Sequence, residues 1–506
     1  MKRRLLLVLA LPFLLAVALP GGEGRPAAAK SVRRPPVVMI VFDEFPTVSL
    51  LDRHGRIDGK RYPNFASLAR DGLWFSNATA SVDETGRAVE TLLTGRTPER
   101  RRVVTYRANP HNLFVLLGRR HYDLDASEEV TALCPRSYCP DVKLRTRTQV
   151  LHELAGGRPE RFRRWVRSIG RRRRPTLFFK HVLFPHVPLR YLPSGQAYAR
   201  GAHEVIPGIV EAFFDRWLVE QAYQRHLLQL GFTDRLLGSA LRRLKQRGVY
   251  DRSLIVVTAD NGESFGRFGN RHEITGRNAG DIALTPLFVK LPYQRHGRIV
   301  RRHVRTVDVL PTIAHVLGLK LPWRTQGRSA LGRASRRIPS SVTMIQRSGH
   351  EFTLSLTTLR RGAGAALRHK VHLFGAGDDS LRIFGIGPHR GLLGTRLAIW
   401  RVGNARHTRA VLNGRSALAS VRLRSGFVPV QVTGRIVGSK RRRTRAVAVV
   451  INGWISATAP TFHLRGSRSE LFSAMVPEAF LHNGANRVDL YEISSGKGGL
   501  RLVRLR

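Results

Sequence analysis

Ser253–Phe265 reads S-L-I-V-V-T-A-D-N-G-E-S-F, and its two halves have opposite chemistry. Leu254–Val257 is a continuous aliphatic run, the pattern of a strand covered on both faces of a parallel sheet. Asp260, Asn261, Gly262 and Glu263 then crowd polar groups onto its C-terminal end. Ligands of open α/β sheets sit outside the carboxyl ends of the strands. A carboxylate beside a carboxamide at such an end predicts half of a metal or substrate site.

The other half comes from Val37–Phe42, V-V-M-I-V-F, which ends in Asp43 and Glu44. One acidic pair after a strand can merely cap a turn. Two such pairs, brought to the same edge by parallel strands, predict a shared site. Between them the chain alternates. A helix is expected from Tyr62 to Gly72, a strand over Trp74–Ala78, a helix over Arg87–Leu93 capped by Gly95, and a strand over Arg119–Ala126. Pro175–Leu192 reads as another strand region, carrying Lys180, His181, His186 and Arg190. Glu211–Leu230 and Thr233–Gln246 read as two amphipathic helices, Pro286–Leu291 as a strand, and Val307–Gly318 as a helix. This alternation predicts an α/β domain over 37–335, a mostly parallel sheet sandwiched by helices. From Val371 the pattern becomes short alternating strands, with Asn452-Gly453 as a hairpin signal. Residues 371–506 are therefore expected to form a β-sandwich-like domain with a structural or binding role.

Asp43, Glu44, Asp260 and Asn261 offer hard oxygens, which suit Ca²⁺, Mg²⁺ or Mn²⁺ better than Zn²⁺. Thr85 lies at or just before a helix N-terminus, where backbone N–H groups and the helix dipole would favour an anion on its hydroxyl. Thr85 is then the candidate nucleophile. Arg87, Lys180, His181, His186 and His272 are candidates to neutralise charge or protonate a leaving group.

Composition bounds the partners. With 86 Lys+Arg against 35 Asp+Glu, the formal charge is +51, which favours anionic partners: phospholipid head groups, cell-wall polymers or a membrane surface. The same excess can also simply decorate a solvated surface. No zinc-finger, homeodomain or ribonucleoprotein-type sequence accompanies it, which counts against nucleic acid. Lys2-Arg3-Arg4, the apolar run Leu5–Leu19 and Ala27-Ala28-Ala29 follow the order of a secretory signal peptide over 1–29, with an uncleaved anchor as the alternative. Cys134 and Cys139 fit an exported, extracytoplasmic protein that closes one small surface disulfide loop.

Taken together, V-F-D-E, L-L-T-G-R-T-P, T-A-D-N-G-E-S-F and T-V-D-V-L-P-T-I-A-H-V-L-G resemble the sulfatase and alkaline-phosphatase-like superfamily, in the family order, over Val37–Leu331. The chain is similar to bacterial sulfatase-like proteins that include phosphoethanolamine and phosphoglycerol transferases. The resemblance implies an alkaline-phosphatase-like fold and one divalent metal on Asp43, Glu44, Asp260 and Asn261, with Thr85 at the nucleophile position. It also implies that His186 and His272 contact substrate. D-N-G is typical of calcium-binding sulfatases in that family, and D-H-G of the transferases. The convertible Cys or Ser of C/S-x-P-x-R is missing, since Thr85 is followed by Gly86-Arg87-Ala88-Val89. Threonine is what phosphoryl-transferring members use, so a phosphoester substrate is expected ahead of a sulfate ester.

Two other readings compete. Gly262-Glu263-Ser264-Phe265-Gly266 matches the G-x-S-x-G elbow of serine hydrolases, but the glycine-interrupted sequence after it is poor helix material. The second is a catalytically inactive, basic scaffold that binds polyanions.

Overall fold

The central sheet has seven strands: β1 (Val37–Asp43), β2 (Leu73–Thr79), β3 (Asp123–Ser127), β4 (Thr176–Pro185), β5 (Leu254–Ala259), β6 (Leu287–Lys290) and β7 (Arg298–Arg305). Their order is β3-β4-β1-β5-β6-β2-β7. All pairings are parallel except those of β6, which runs against β5 and β2. The computed structural model describes residues 34–98, 103–199, 215–266, 271–332, 340–375, 380–405, 407–438, 443–496 and 499–505. The signal segment expected over 1–29 lies outside them.

Every residue of β1, β4 and β5 is buried, as their unbroken apolar runs require when helices cover both faces. Alternation along the strands divides two cores. Val37, Met39 and Val41 of β1 and Leu177 and Phe179 of β4 join one core with the helices Thr85–Thr94, Leu113–Gly118 and Val309–Val316. Val38, Ile40, Phe42, Phe178 and Val182 join the other with the helices Pro63–Asp71, Arg158–Ser168 and Arg216–Gln246.

The second helical region differs from expectation. From Arg216 to Gln246 it is one continuous helix, not two that meet near Gly231. Thr233 does not cap a new helix, because its hydroxyl donates back to the Gln229 carbonyl at 3.0 Å. Gly231 does not break the helix either. A Cβ there would meet Pro193 at 2.9 Å, so the glycine answers a close approach. The cysteines are bonded as expected, Cys134 to Cys139, but both are buried in the first core rather than lying at the surface.

The helix Leu356–Phe374 carries the chain past Val371 before the C-terminal strands begin. Those strands form a five-stranded and a three-stranded sheet, largely antiparallel. Asn452 and Gly453, at φ 51° and 81°, make the tight turn between Ala446–Ile451 and Trp454–Pro460. This domain packs its core on the first turns of the long helix, through Trp217, Leu218 and Ala222. The Trp217 indole N–H donates to the Ser473 carbonyl at 3.1 Å.

Candidate active site

The two acidic strand ends meet. The backbone N–H of Asp260 donates to the Phe42 carbonyl (3.0 Å), and that of Phe45 to the Asn261 carbonyl (2.8 Å). The N–H of Glu44 donates to Asp260 Oδ1 at 3.1 Å, and that of Asn261 to the same oxygen at 2.6 Å. Glu44 is held at φ 53°, the left-handed region that non-glycine residues rarely adopt. Such strain persists where the surroundings over-determine it, and it gathers at functional sites. Here the surroundings are the bonds to Asp260 and Asn261.

All four side chains are buried. Burial, and then each other's charge, pushes the Asp260 carboxyl well above its ordinary value; burial also raises Asp43. Two desolvated carboxylates side by side call for a counter-charge. Glu44 Oε2 is likewise buried and has no hydrogen-bond partner among the described residues. A hard divalent cation fits this donor set.

Glu44 also belongs to a second grouping. It, Glu263 and His272 each offer a ligand atom, all within 4.8 Å of one another. The sequence places Glu263 at this polar strand end, but it was not among the expected ligands. It is already paired with the buried Arg271 guanidinium, which weakens what it can offer a cation. The Asp43–Asp260 side carries the stronger claim.

Thr85 opens the helix Thr85–Thr94 and faces this edge: its hydroxyl donates to Asp43 Oδ1 at 3.1 Å. Gly95, at φ 67°, closes that helix as expected. One expectation fails here. The free N–H groups that would hold an anion beside Thr85 are taken, because the Glu84 carboxylate caps the helix and accepts from Gly86 N and Arg87 N, both at 3.1 Å. Asp83 is turned away onto the N–H of Ile274 at 2.9 Å. Donors to an anion must therefore come from elsewhere.

The structure brings His186 and His272 to Glu44. His186 Nε2 lies 3.2 Å and His272 Nδ1 2.7 Å from Glu44 Oε1. The other His186 nitrogen, Nδ1, donates to the Val187 carbonyl at 2.6 Å. Burial works against charge on His186, but Glu44 and Asp43 outweigh it and raise the imidazole to about 9. Burial would raise Glu44, yet the two histidines hold it well below the usual carboxylate range.

Lys180 and His181 separate. Lys180 is fully buried and its ammonium is bound by Glu129 and by Ser127 Oγ (3.0 Å), so it is not a substrate ligand. His181 points to the opposite face, the one that carries Asp43, and its Nδ1 lies 2.7 Å from Glu128 Oε1. Arg87 sits in the helix Thr85–Thr94, but its Nη1 donates to the Gln346 carbonyl at 3.4 Å and it is buried. Ser264 is not a nucleophile elbow. Its hydroxyl donates to Asp281 Oδ2 at 2.9 Å, and the described residues that follow it, through Ser264–Gly266, are not helical.

The fold and site together define an α/β domain with a mostly parallel sheet and an oxygen-rich site at the sheet edge. Residues 158–319, about a third of the chain, match the Sulfatase family model. That span includes His181, His186, Asp260, Asn261 and His272, whereas Asp43, Glu44 and Thr85 precede it. Over residues 158–319 the chain is similar to the Sulfatase family.

A curated relative, the multifunctional alkaline phosphatase superfamily protein PehA of Trinickia caryophylli, is 35% identical over 112 residues, 21% of this chain. The match spans about a fifth of that relative's length. Among solved structures, a Bacteroides thetaiotaomicron protein of a locus for the metabolism of multiple glycosaminoglycans (BT33494S-sulf) matches at TM-score 0.50 and 15% identity, over 64% of this chain and 85% of that one. The phosphonate monoester hydrolase of Agrobacterium radiobacter matches at TM-score 0.44 and 18% identity, over 62% and 80%.

Proposed function

We propose that the chain is an exported, metal-dependent hydrolase or transferase that acts on phosphoesters through Thr85. The observation that carries this reading is the 3.1 Å hydrogen bond from the Thr85 hydroxyl, at the first residue of a largely buried helix, to Asp43. Asp43, Glu44, Asp260 and Asn261, with the Thr85 hydroxyl, would hold one divalent cation, Ca²⁺, Mg²⁺ or Mn²⁺ ahead of Zn²⁺. When bound, that ion supplies charge that polarises a phosphoryl oxygen and lowers the pKa of a bound hydroxyl.

The chain's own groups do the rest. Thr85 Oγ attacks phosphorus and passes its proton to Asp43 Oδ1, which already accepts its hydrogen bond, and the bond from phosphorus to the leaving oxygen breaks. His186 or His272 gives that oxygen a proton. Phospho-Thr85 then passes its phosphoryl group to water or to an acceptor alcohol. A sulfate ester is the less favoured substrate, because Thr85-Gly86-Arg87-Ala88-Val89 departs from C/S-x-P-x-R.

The charge of +51 supports substrates on anionic surfaces, phospholipid head groups or cell-wall polymers. The leader-like sequence at 1–29 and the Cys134–Cys139 disulfide support an extracytoplasmic setting, secreted or cell-surface. The test is phosphodiester cleavage by the purified chain with Ca²⁺, Mg²⁺ or Mn²⁺. Turnover that survives Thr85→Ala unchanged removes Thr85 from the mechanism. Salt-sensitive polyanion binding with no bound metal and no turnover would leave a scaffold instead.

A further inference from the structure

Across adjacent strands of the sheet, in the order β3-β4-β1-β5, Glu128, Asp43 and Asp260 sit at or beside the C-terminal ends of their strands, and His181 lies inside the longer β4, in register with Val41 of β1. Three belong to the site already described or were candidates for it. Glu128, one residue past β3, is new. Ser127 is in register with Lys180, so the next residue, Glu128, comes level with His181.

Glu128 is built in, not incidental. Its Oε1 accepts the backbone N–H groups of Glu129, Val130 and Thr131 at 2.9, 2.8 and 3.0 Å, as well as His181 Nδ1 at 2.7 Å. Both side chains are buried. Since the carboxylate accepts, Nδ1 carries a proton; burial works against charge on the ring, but Glu128 outweighs it and raises the imidazole to about 9, so Nε2 carries a second proton and is the donor left to work. That Nε2 is fully buried and has no hydrogen-bond partner among the described residues. After Glu128, the charges His181 feels most are Asp43 and Asp260. A buried ring nitrogen without a partner is costly unless a ligand satisfies it. The helix N–H groups beside Thr85 cannot serve a bound anion, because Glu84 occupies them.

We propose that His181 is a catalytic residue whose Nε2–H binds a non-bridging oxygen of the phosphoryl group attacked by Thr85, and that Glu128 is the positioning residue that aims it. This inference rests on the phosphoester reading above and adds to it the donor that the capped helix cannot provide. It also assigns the site a preference for a compact tetrahedral oxyanion over a neutral ester.

The test is equilibrium binding of inorganic phosphate to the metal-loaded full chain, followed by calorimetry and by the side-chain nitrogen resonances of labelled histidines. The variants are His181→Asn, His181→Gln, Glu128→Ala, Glu128→Gln and Thr85→Ala. Asn at 181 can keep the bond to Glu128 but lacks an atom at the Nε2 position, whereas Gln places its amide there. Phosphate is expected to shift the His181 Nε2 resonance in the wild type and in Thr85→Ala. His181→Asn should weaken phosphate binding about 10- to 100-fold, the loss of one hydrogen bond to a charged group, and His181→Gln should recover part of it. Glu128→Ala should weaken binding about tenfold, with rescue by Glu128→Gln, whose amide oxygen can still accept from Nδ1. Phosphate affinity unchanged in His181→Asn, or a His181 resonance that ignores phosphate, overturns this inference while leaving the Thr85 reading intact. A wild type that binds no phosphate and cleaves no phosphoester overturns both.

Discussion

Strand β4 carries two buried cation–carboxylate pairs one residue apart, and they are opposites. Lys180 faces one way and is closed: Glu129 and Ser127 take its ammonium, and Arg161 Nη2 takes the other Glu129 oxygen at 2.8 Å. His181 faces the other way and is open, with one nitrogen on Glu128 and the other without a hydrogen-bond partner among the described residues. Burial and charge are alike in the two pairs. What differs is unspent hydrogen-bonding capacity, and that is what marks a group poised for a ligand rather than for the fold. Ser264 and Thr85 differ instead in where their hydroxyls point, Ser264 to Asp281 and Thr85 to Asp43 at the acidic edge.

The difference can be broken or sharpened by substitution. Thr85→Ala should have the largest effect, a fall of about a thousandfold or more in phosphoester turnover, read by steady-state kinetics. Ser264→Ala should leave turnover close to wild type by the same assay, and a loss there would revive the serine elbow.

Lys180→Met should come next, as a stability effect. Removing one partner of a buried pair costs about 3–5 kcal/mol, seen in urea unfolding, while the folded enzyme keeps its kcat. A Lys180→Met protein of normal stability and lost turnover would return Lys180 to the substrate. His181→Asn should show the reverse emphasis, with a smaller stability loss than Lys180→Met because Asn can keep a hydrogen bond to Glu128, and kcat/KM lowered about tenfold or more.

The smallest effect is on acid stability. Burial would raise Glu129, but Lys180 and then Arg161 outweigh it and hold it at about 2. Its folded pKa is thus below the ordinary 4.5, so its contribution is fully present above that value and is lost as pH falls toward 2. Glu129→Gln should flatten this part of the unfolding-versus-pH curve, followed by circular dichroism. A variant that unfolds in acid as steeply as the wild type would remove Glu129 from the acid transition.

The sequence made some of this legible and hid the rest for physical reasons. The two apolar runs that end in Asp43-Glu44 and Asp260-Asn261 declare buried parallel strands, because nothing else in a globular chain tolerates such runs with acids at the same end. Thr85 and the Gly95 cap follow from helix-end chemistry. Lys180 and His181, however, look equivalent in a string. Only the alternation of β4 between two faces, and partners more than 50 residues away, separate them. Glu128 and Glu84 were hidden for a related reason. An acid after a short, half-buried edge strand, or before a helix, reads as ordinary surface until its neighbours across the sheet or along the helix are known. Gly231 and Thr233 misled because glycine and threonine also end and begin helices, and only Pro193 explains the glycine.

The central claim is that Thr85 is the atom donor to phosphorus. Its most direct test is mass spectrometry of the metal-loaded chain, quenched in acid during turnover of an activated phosphodiester. A phosphoryl group on the peptide that carries Thr85, absent in Thr85→Ala, is the predicted result. Turnover with no adduct at any time point, or with the adduct on Ser264, would contradict it.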